Sequence, residues 1–169
     1  MARSLTTLAT QFLTNRDSFK ASLQNPVLIW KAPPSEVSGQ TWQGTHSGVG
    51  PSRPHQGEAL VFDVRKQPTK NNAFAMGVTI GRIDSNDVPL DDVSVSRFHA
   101  WLQTDARSWT LCDAESKNGT FLDGKRLTPN QKLPVKDKAK LKFGEVEVIF
   151  LEVDALIAMM EEMMASKTK

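Results

Sequence analysis

Three short segments between Gly81 and Gly124 carry the side chains best suited to holding an anion: Gly81-Arg82, Ser96-Arg97-Phe98-His99 and Lys117-Asn118-Gly119-Thr120. An arginine fork matches the oxygens of a phosphate, a serine hydroxyl is a short donor with little freedom to lose, and a lysine adds a flexible point charge. Each segment sits among turn-forming residues between stretches of alternating apolar pattern, which places them in loops whose stems are held by strands. Three loops with donors of one kind predict a single anion site.

Catalysis and metal binding fit these residues less well. His99 follows Ser96 by three positions, but the other two histidines, His46 and His55, fall in a stretch rich in Pro, Gly and Ser, and no metal-ligand spacing exists. His99 therefore reads as an architectural residue. The single cysteine, Cys112, lies in the alternating pattern Trp109, Leu111, Asp113 against Thr110, Cys112 and reads as a strand residue. No Gly-rich nucleotide loop and no nucleophile with a neighbouring base is present, so the expectation is a non-enzyme with no metal and no cofactor.

The elements that must position the three loops follow from period and composition. The chain of 169 residues has room for one ordinary domain with extensions. Residues 1–31 are expected to form an N-terminal helical extension, with Leu5, Leu8, Ala9, Phe12 and Leu13 at helical spacing, Ser4 as N-cap and a polar interruption from Thr14 to Asp17. An apolar run, Val27 to Trp30, closes that stretch. Residues 32–57, anchored only by Trp42, read as a linker or long loop. From Glu58 the pattern changes to short alternating runs, among them Leu60, Phe62 and Val64, then Phe98, Ala100 and Leu102, with Asp123-Gly124 as a hairpin signal. A run of many short strands without interleaved helices predicts an all-β sandwich over residues 58–152. Residues 153–169 form a C-terminal amphipathic helix holding four of the six methionines, with Asp154 available at its start.

Composition limits the partners. The net charge of +2 is too small to argue for nucleic acid, and no apolar run approaches the ~20 residues needed to cross a bilayer. Thr, Gln and Asn interrupt the N-terminus where a signal peptide would have its apolar segment, so a cytoplasmic location is expected. Lys136, Lys138, Lys140 and Lys142 recur at every second residue and read as the solvated face of a strand, balanced by Glu145 and Glu147.

Taken together, Gly-Arg, Ser-Arg-x-His and Asn-Gly-Thr-Phe, in that order and with strands between, resemble the forkhead-associated (FHA) domain over about Glu58 to Glu152. The resemblance implies an all-β sandwich of two antiparallel sheets with about 11 short strands, flanked here by N- and C-terminal α-helical extensions, that binds phosphothreonine peptides through loops at one end. It implies that Arg82, Ser96 and Arg97 contact phosphate, that Asn118 pairs with the peptide main chain, and that Gly81, His99 and Gly119 support the loops. Lys117 stands where the family often has a small hydroxyl residue, so either Lys117 or Ser116 would complete the phosphate contacts. Lys136-Asp137 replaces a frequent Gly-Asp before the last hairpin, a change expected to affect the turn and not the site. The implied partner is a phosphothreonine-containing protein, a Ser/Thr kinase or its substrate. The alternative is a phosphorylation-independent scaffold or self-association module, with a homodimer formed through the terminal helices.

Overall fold

In the computed structural model, which describes residues 2–31, 58–70, 72–105 and 108–166, twelve strands and three helices follow in chain order. The stretch 32–57, with Trp42, His46 and His55, lies outside the described residues. The helix predicted from Ser4 divides into α1 (Leu5–Thr14) and α2 (Arg16–Ser22). Ser4 Oγ accepts from Thr7 N–H at 3.1 Å, and Asn15 breaks the run because its own side chain caps α2, accepting from Ser18 N–H at 2.9 Å.

Two sheets pack face to face. The larger joins β1 (Ala2–Ser4), β3 (Ala59–Asp63), β2 (Val27–Lys31), β12 (Val146–Leu151), β11 (Lys140–Phe143), β8 (Thr120–Leu122) and β9 (Lys125–Arg126), in that spatial order. The smaller joins β10 (Lys132–Val135), β7 (Trp109–Asp113), β6 (Ala100–Thr104), β4 (Val78–Gly81) and β5 (Val88–Pro89). The predicted sandwich is present, with three corrections. The sheets are not wholly antiparallel, since β4 and β5 run parallel. The stretch expected as a helical extension also supplies β1 and β2, and β2 lies in the interior of the larger sheet between β3 and β12. The lysine stripe is also shorter than its spacing suggested: Asp137 and Lys138 form a turn, Lys138 has φ 65°, and the strand begins only at Lys140.

Side-chain period explains how one sheet serves two cores. Leu28 and Trp30, Leu60 and Phe62, and Val148 and Phe150 point between the sheets. Their alternates Val27 and Ile29, Val61, and Leu151 join Leu8, Phe12, Phe19, Leu156 and Met160 in a second core beneath the helices. α3 (Val153–Ser166) thus spends its apolar face on the same sheet as α1, with Lys20 Nζ 3.3 Å from Glu161 Oε1 between the two ends of the chain. No helix among the described residues is long and apolar enough to cross a membrane.

Asp87, next to β5, is the polar hub of the smaller sheet. Its buried carboxylate accepts from Thr79 N–H (2.8 Å), Gln67 N–H (2.8 Å) and Lys66 Nζ (3.0 Å). Burial pushes its pKa up, but the donors from Thr79, Gln67 and Lys66 outweigh it and hold the carboxyl below its ordinary value. A depressed carboxyl adds stability above its unfolded pKa and loses it as the pH falls below about 4. Asp87→Ala strands these donors, and urea denaturation is expected to show a loss of about 2–4 kcal/mol. A loss under about 0.5 kcal/mol, the range of neutral surface changes, would remove this hub from the account.

Candidate functional site

The first loop leaves β4 at Gly81. A Cβ there would collide with the Arg97 carbonyl and lie 2.7 Å from Asn86 Nδ2, so glycine is needed for the close approach of the first and second loops. The two loops are also bonded: Arg82 N–H donates to Ser96 O at 2.9 Å, and Asn86 Nδ2 donates to Arg97 O at 2.7 Å and Ile83 O at 2.9 Å. Asn86 is buried, and sequence reasoning missed it because the partners it joins belong to two separate loops. Asp87, a conceivable ion-pair partner for Arg82, is committed to Lys66. Among the described residues no ion pair engages the half-buried Arg82 or the exposed Arg97.

His99 ties the second loop to the third. Its Nδ1 accepts from Ser96 N–H at 2.9 Å, which leaves the ring proton on Nε2 to donate to Gly119 O at 3.1 Å. The ring is fully buried and stands edge-on to Phe143, with centroids 5.7 Å apart. Burial pushes its pKa below the ordinary imidazole value, against the opposing pulls of the Gly119 carbonyl and the Asp113 charge. The alternating pattern placed Phe98 inward and His99 outward. Instead β6 begins only at Ala100, Phe98 lies 39% exposed against Phe74 and Trp101, and His99 turns in.

The third loop follows β7. Ser116 Oγ donates to Asp113 Oδ1 at 2.6 Å and accepts from Gly119 N–H at 3.1 Å, and Thr120 Oγ1 also donates to the buried Asp113. With its proton on Asp113, Ser116 has none to offer a phosphate, so the alternative that set it in place of Lys117 is withdrawn. Lys117 is exposed, and its N–H donates to Ser96 Oγ at 3.0 Å. Asn118 Nδ2 donates to Ser94 O at 2.7 Å, Gly144 N–H to Gly119 O at 3.0 Å, and Glu145 N–H to Ser94 Oγ at 2.9 Å, so the turn after β11 buttresses the same junction. Gly119 takes φ +88°, a conformation that disfavours any other residue.

The structure therefore brings Arg82, Ser96, Arg97, Lys117, Asn118 and Gly119 into one bonded set of loops, with Gly81 and His99 beneath them. Ser96 Oγ has one lone pair occupied by Lys117 N–H, and among the described residues no acceptor engages its hydroxyl proton. Arg82, Arg97 and Lys117 lie in the same bonded loops and carry two guanidinium groups and one ammonium, groups whose chemistry suits a dianion. Among the described residues no group of His, Cys, Asp and Glu could hold a metal ion.

Comparison with known proteins gives the same segment a family likeness. The model of the FHA domain matches residues 78–144. The glycogen accumulation regulator GarA of Mycobacterium tuberculosis is 29% identical over 121 residues, 69% of this chain and 72% of that protein. The oxoglutarate dehydrogenase inhibitor of Corynebacterium diphtheriae is 28% identical over 120 residues, 69% of this chain and 80% of the inhibitor. Among solved structures, Mycobacterium tuberculosis EmbR in complex with a low-affinity phosphopeptide aligns with 86% of this chain and 30% of its own, at 19% identity and TM-score 0.47.

Proposed function

Because the chain carries an FHA domain whose matched segment, residues 78–144, spans all three donor loops, we propose that it is a non-catalytic reader of phosphothreonine. Arg82 and Ser96 hold the phosphate, Arg97 adds a second cation, and Asn118 pairs with the peptide main chain. Gly81, His99 and Gly119 keep the loops at their spacing. The observation that carries this reading is the arrangement around Ser96, whose hydroxyl is oriented by the Lys117 N–H and whose backbone is bonded to Arg82 and followed by Arg97, two arginines without ion pairs among the described residues. Its partner is a protein that a Ser/Thr kinase has marked, met in the cytoplasm, and a regulatory outcome accords with the two bacterial relatives, one named a regulator of glycogen accumulation and the other an oxoglutarate dehydrogenase inhibitor.

Two or three charge-assisted bonds at about 1.5–3 kcal/mol each, together with the peptide main-chain and side-chain contacts and less the cost of ordering a flexible peptide, are expected to give a Kd near the micromolar range, roughly −8 kcal/mol. Titration of a phosphothreonine peptide library against the unphosphorylated library tests this. Binding confined to the phosphorylated set is expected, and equal affinity for both sets would overturn it. Lys117 contributes a mobile charge in place of a fixed hydroxyl, so Lys117→Ala is expected to weaken the same peptides only about twofold to fivefold. A loss as large as that from a phosphate-contacting arginine would instead make Lys117 a principal contact.

Self-association through the terminal helices has less support. The apolar stripes of α1 and α3 are already buried on the larger sheet, so a dimer built on them would have to displace that packing.

A further inference from the structure

We infer that Arg126 is a specificity residue that selects an acidic side chain, Asp or Glu, in the phosphopeptide. This inference rests on the phosphothreonine reading above and extends it to a residue outside the three motifs.

Arg126 lies in β9, the short strand after the Asp123-Gly124 turn, and its cross-strand neighbour is Phe121. Phe121 in turn faces Lys142 of β11. These three side chains form one row across the edge of the larger sheet, beyond the part that the helices cover. Arg126 Cζ stands 6.0 Å from the Phe121 ring centroid and Lys142 Nζ stands 5.7 Å from it, so the ring holds two cations on the row. They differ in what they have left to give. Lys142 is 3.1 Å from Glu145 Oε2, whereas among the described residues no ion pair engages Arg126.

The guanidinium of Arg126 is also held against the site. A Cβ on Gly119 would lie 2.7 Å from Arg126 Nε and 3.1 Å from its Nη2. The bare backbone of Gly119 is therefore what allows the arginine to lie over the third loop, immediately after Asn118. Gly119 is two residues from Lys117, whose N–H orients Ser96 Oγ. At about 3.3 Å per extended residue, a peptide passing Asn118 with its phosphate on Ser96 brings a side chain two or three positions away onto Arg126. A planar fork with free donors and no anion of its own selects a carboxylate there.

The test is a fluorescence-anisotropy series of phosphothreonine peptides in which Glu or Ala occupies each of the four positions on either side of the phosphothreonine. Wild-type protein is expected to prefer Glu over Ala by about threefold to fivefold at a position two or three residues away, as befits an exposed pair, and less so at high salt. Arg126→Ala should erase that preference while leaving the Ala peptide within twofold. Arg126→Glu should prefer Lys at the same position, a charge swap that a merely structural arginine would not produce. Equal weakening of Glu and Ala peptides, or no Glu preference at any position in the wild type, would overturn the inference while leaving the phosphothreonine reading standing. If no phosphothreonine peptide binds the wild type at all, that reading fails and takes this one with it.

Discussion

Ser96→Ala and Arg82→Ala are each expected to abolish measurable binding of a phosphothreonine peptide while leaving the thermal midpoint within a few degrees of the wild type. The magnitude follows from what each group does. A hydrogen bond to a charged group contributes about 1.5–3 kcal/mol, a factor of roughly 10 to 150, so a micromolar complex moves toward the millimolar range. The fold should be spared because neither side chain holds it together. The bond between the two loops at this point runs from the Arg82 backbone N–H to the Ser96 carbonyl and survives both substitutions. What Ser96→Ala removes from the free protein is one exposed acceptor for Lys117 N–H, which water replaces. Isothermal titration beside circular dichroism melts separates the two effects. Arg82→Lys should fall between wild type and alanine, since it keeps the charge and loses the fork. Unchanged affinity in both alanine variants would refute the assigned site.

His99→Ala should do what those variants do not, lowering stability and affinity together. The ring is fully buried and uses both nitrogens, one toward Ser96 N–H and one toward Gly119 O. Its removal leaves both backbone groups without partners and opens a space beside Phe143, and the expected loss is about 2–4 kcal/mol in urea denaturation. The two loops it joins carry Ser96 and Asn118, so peptide affinity should drop even where the variant remains folded.

The same geometry gives a pH dependence with a definite sign. Nδ1 can accept from Ser96 only while unprotonated, and burial holds the folded pKa below the unfolded value of 6.5. Below that value the unfolded chain takes up a proton that the folded chain resists. Stability is therefore fully present above about pH 6.5 and is lost as the pH falls toward the folded pKa. Denaturation at pH 7.5, 6 and 5 should show a steeper decline for wild type than for His99→Ala. Parallel declines would mean that His99 is not the titrating group.

Much of this was legible in the residues themselves because it is local. Asp123-Gly124 marks a tight hairpin turn, and both residues take positive φ, 49° and 82°. Ser4 caps α1 as its position before an apolar helical run predicts. The order of Gly-Arg, Ser-Arg-x-His and Asn-Gly-Thr-Phe was enough to place the loops between strands, since each motif carries its own turn chemistry. What could not be read locally was pairing. Val27 to Lys31 shows no alternation because the second sheet covers one face and the helices cover the other. Period therefore could not separate a strand from the end of a helical extension. His99 broke the period for a related reason: its hydrogen-bond partners belong to two loops, and satisfying them outweighed the alternation.

By itself, then, the sequence determined the sandwich, the three donor loops and the types of group those loops carry, because turn propensity, period and side-chain chemistry are properties of a few neighbouring residues. Only the tertiary structure decided that Ser116 spends its proton on Asp113, that Asn86 and His99 bind the loops into one unit, and that Arg126 lies over Gly119. These depend on which strands are neighbours and in what register, and register is set by burying two cores at once across residues far apart in the chain.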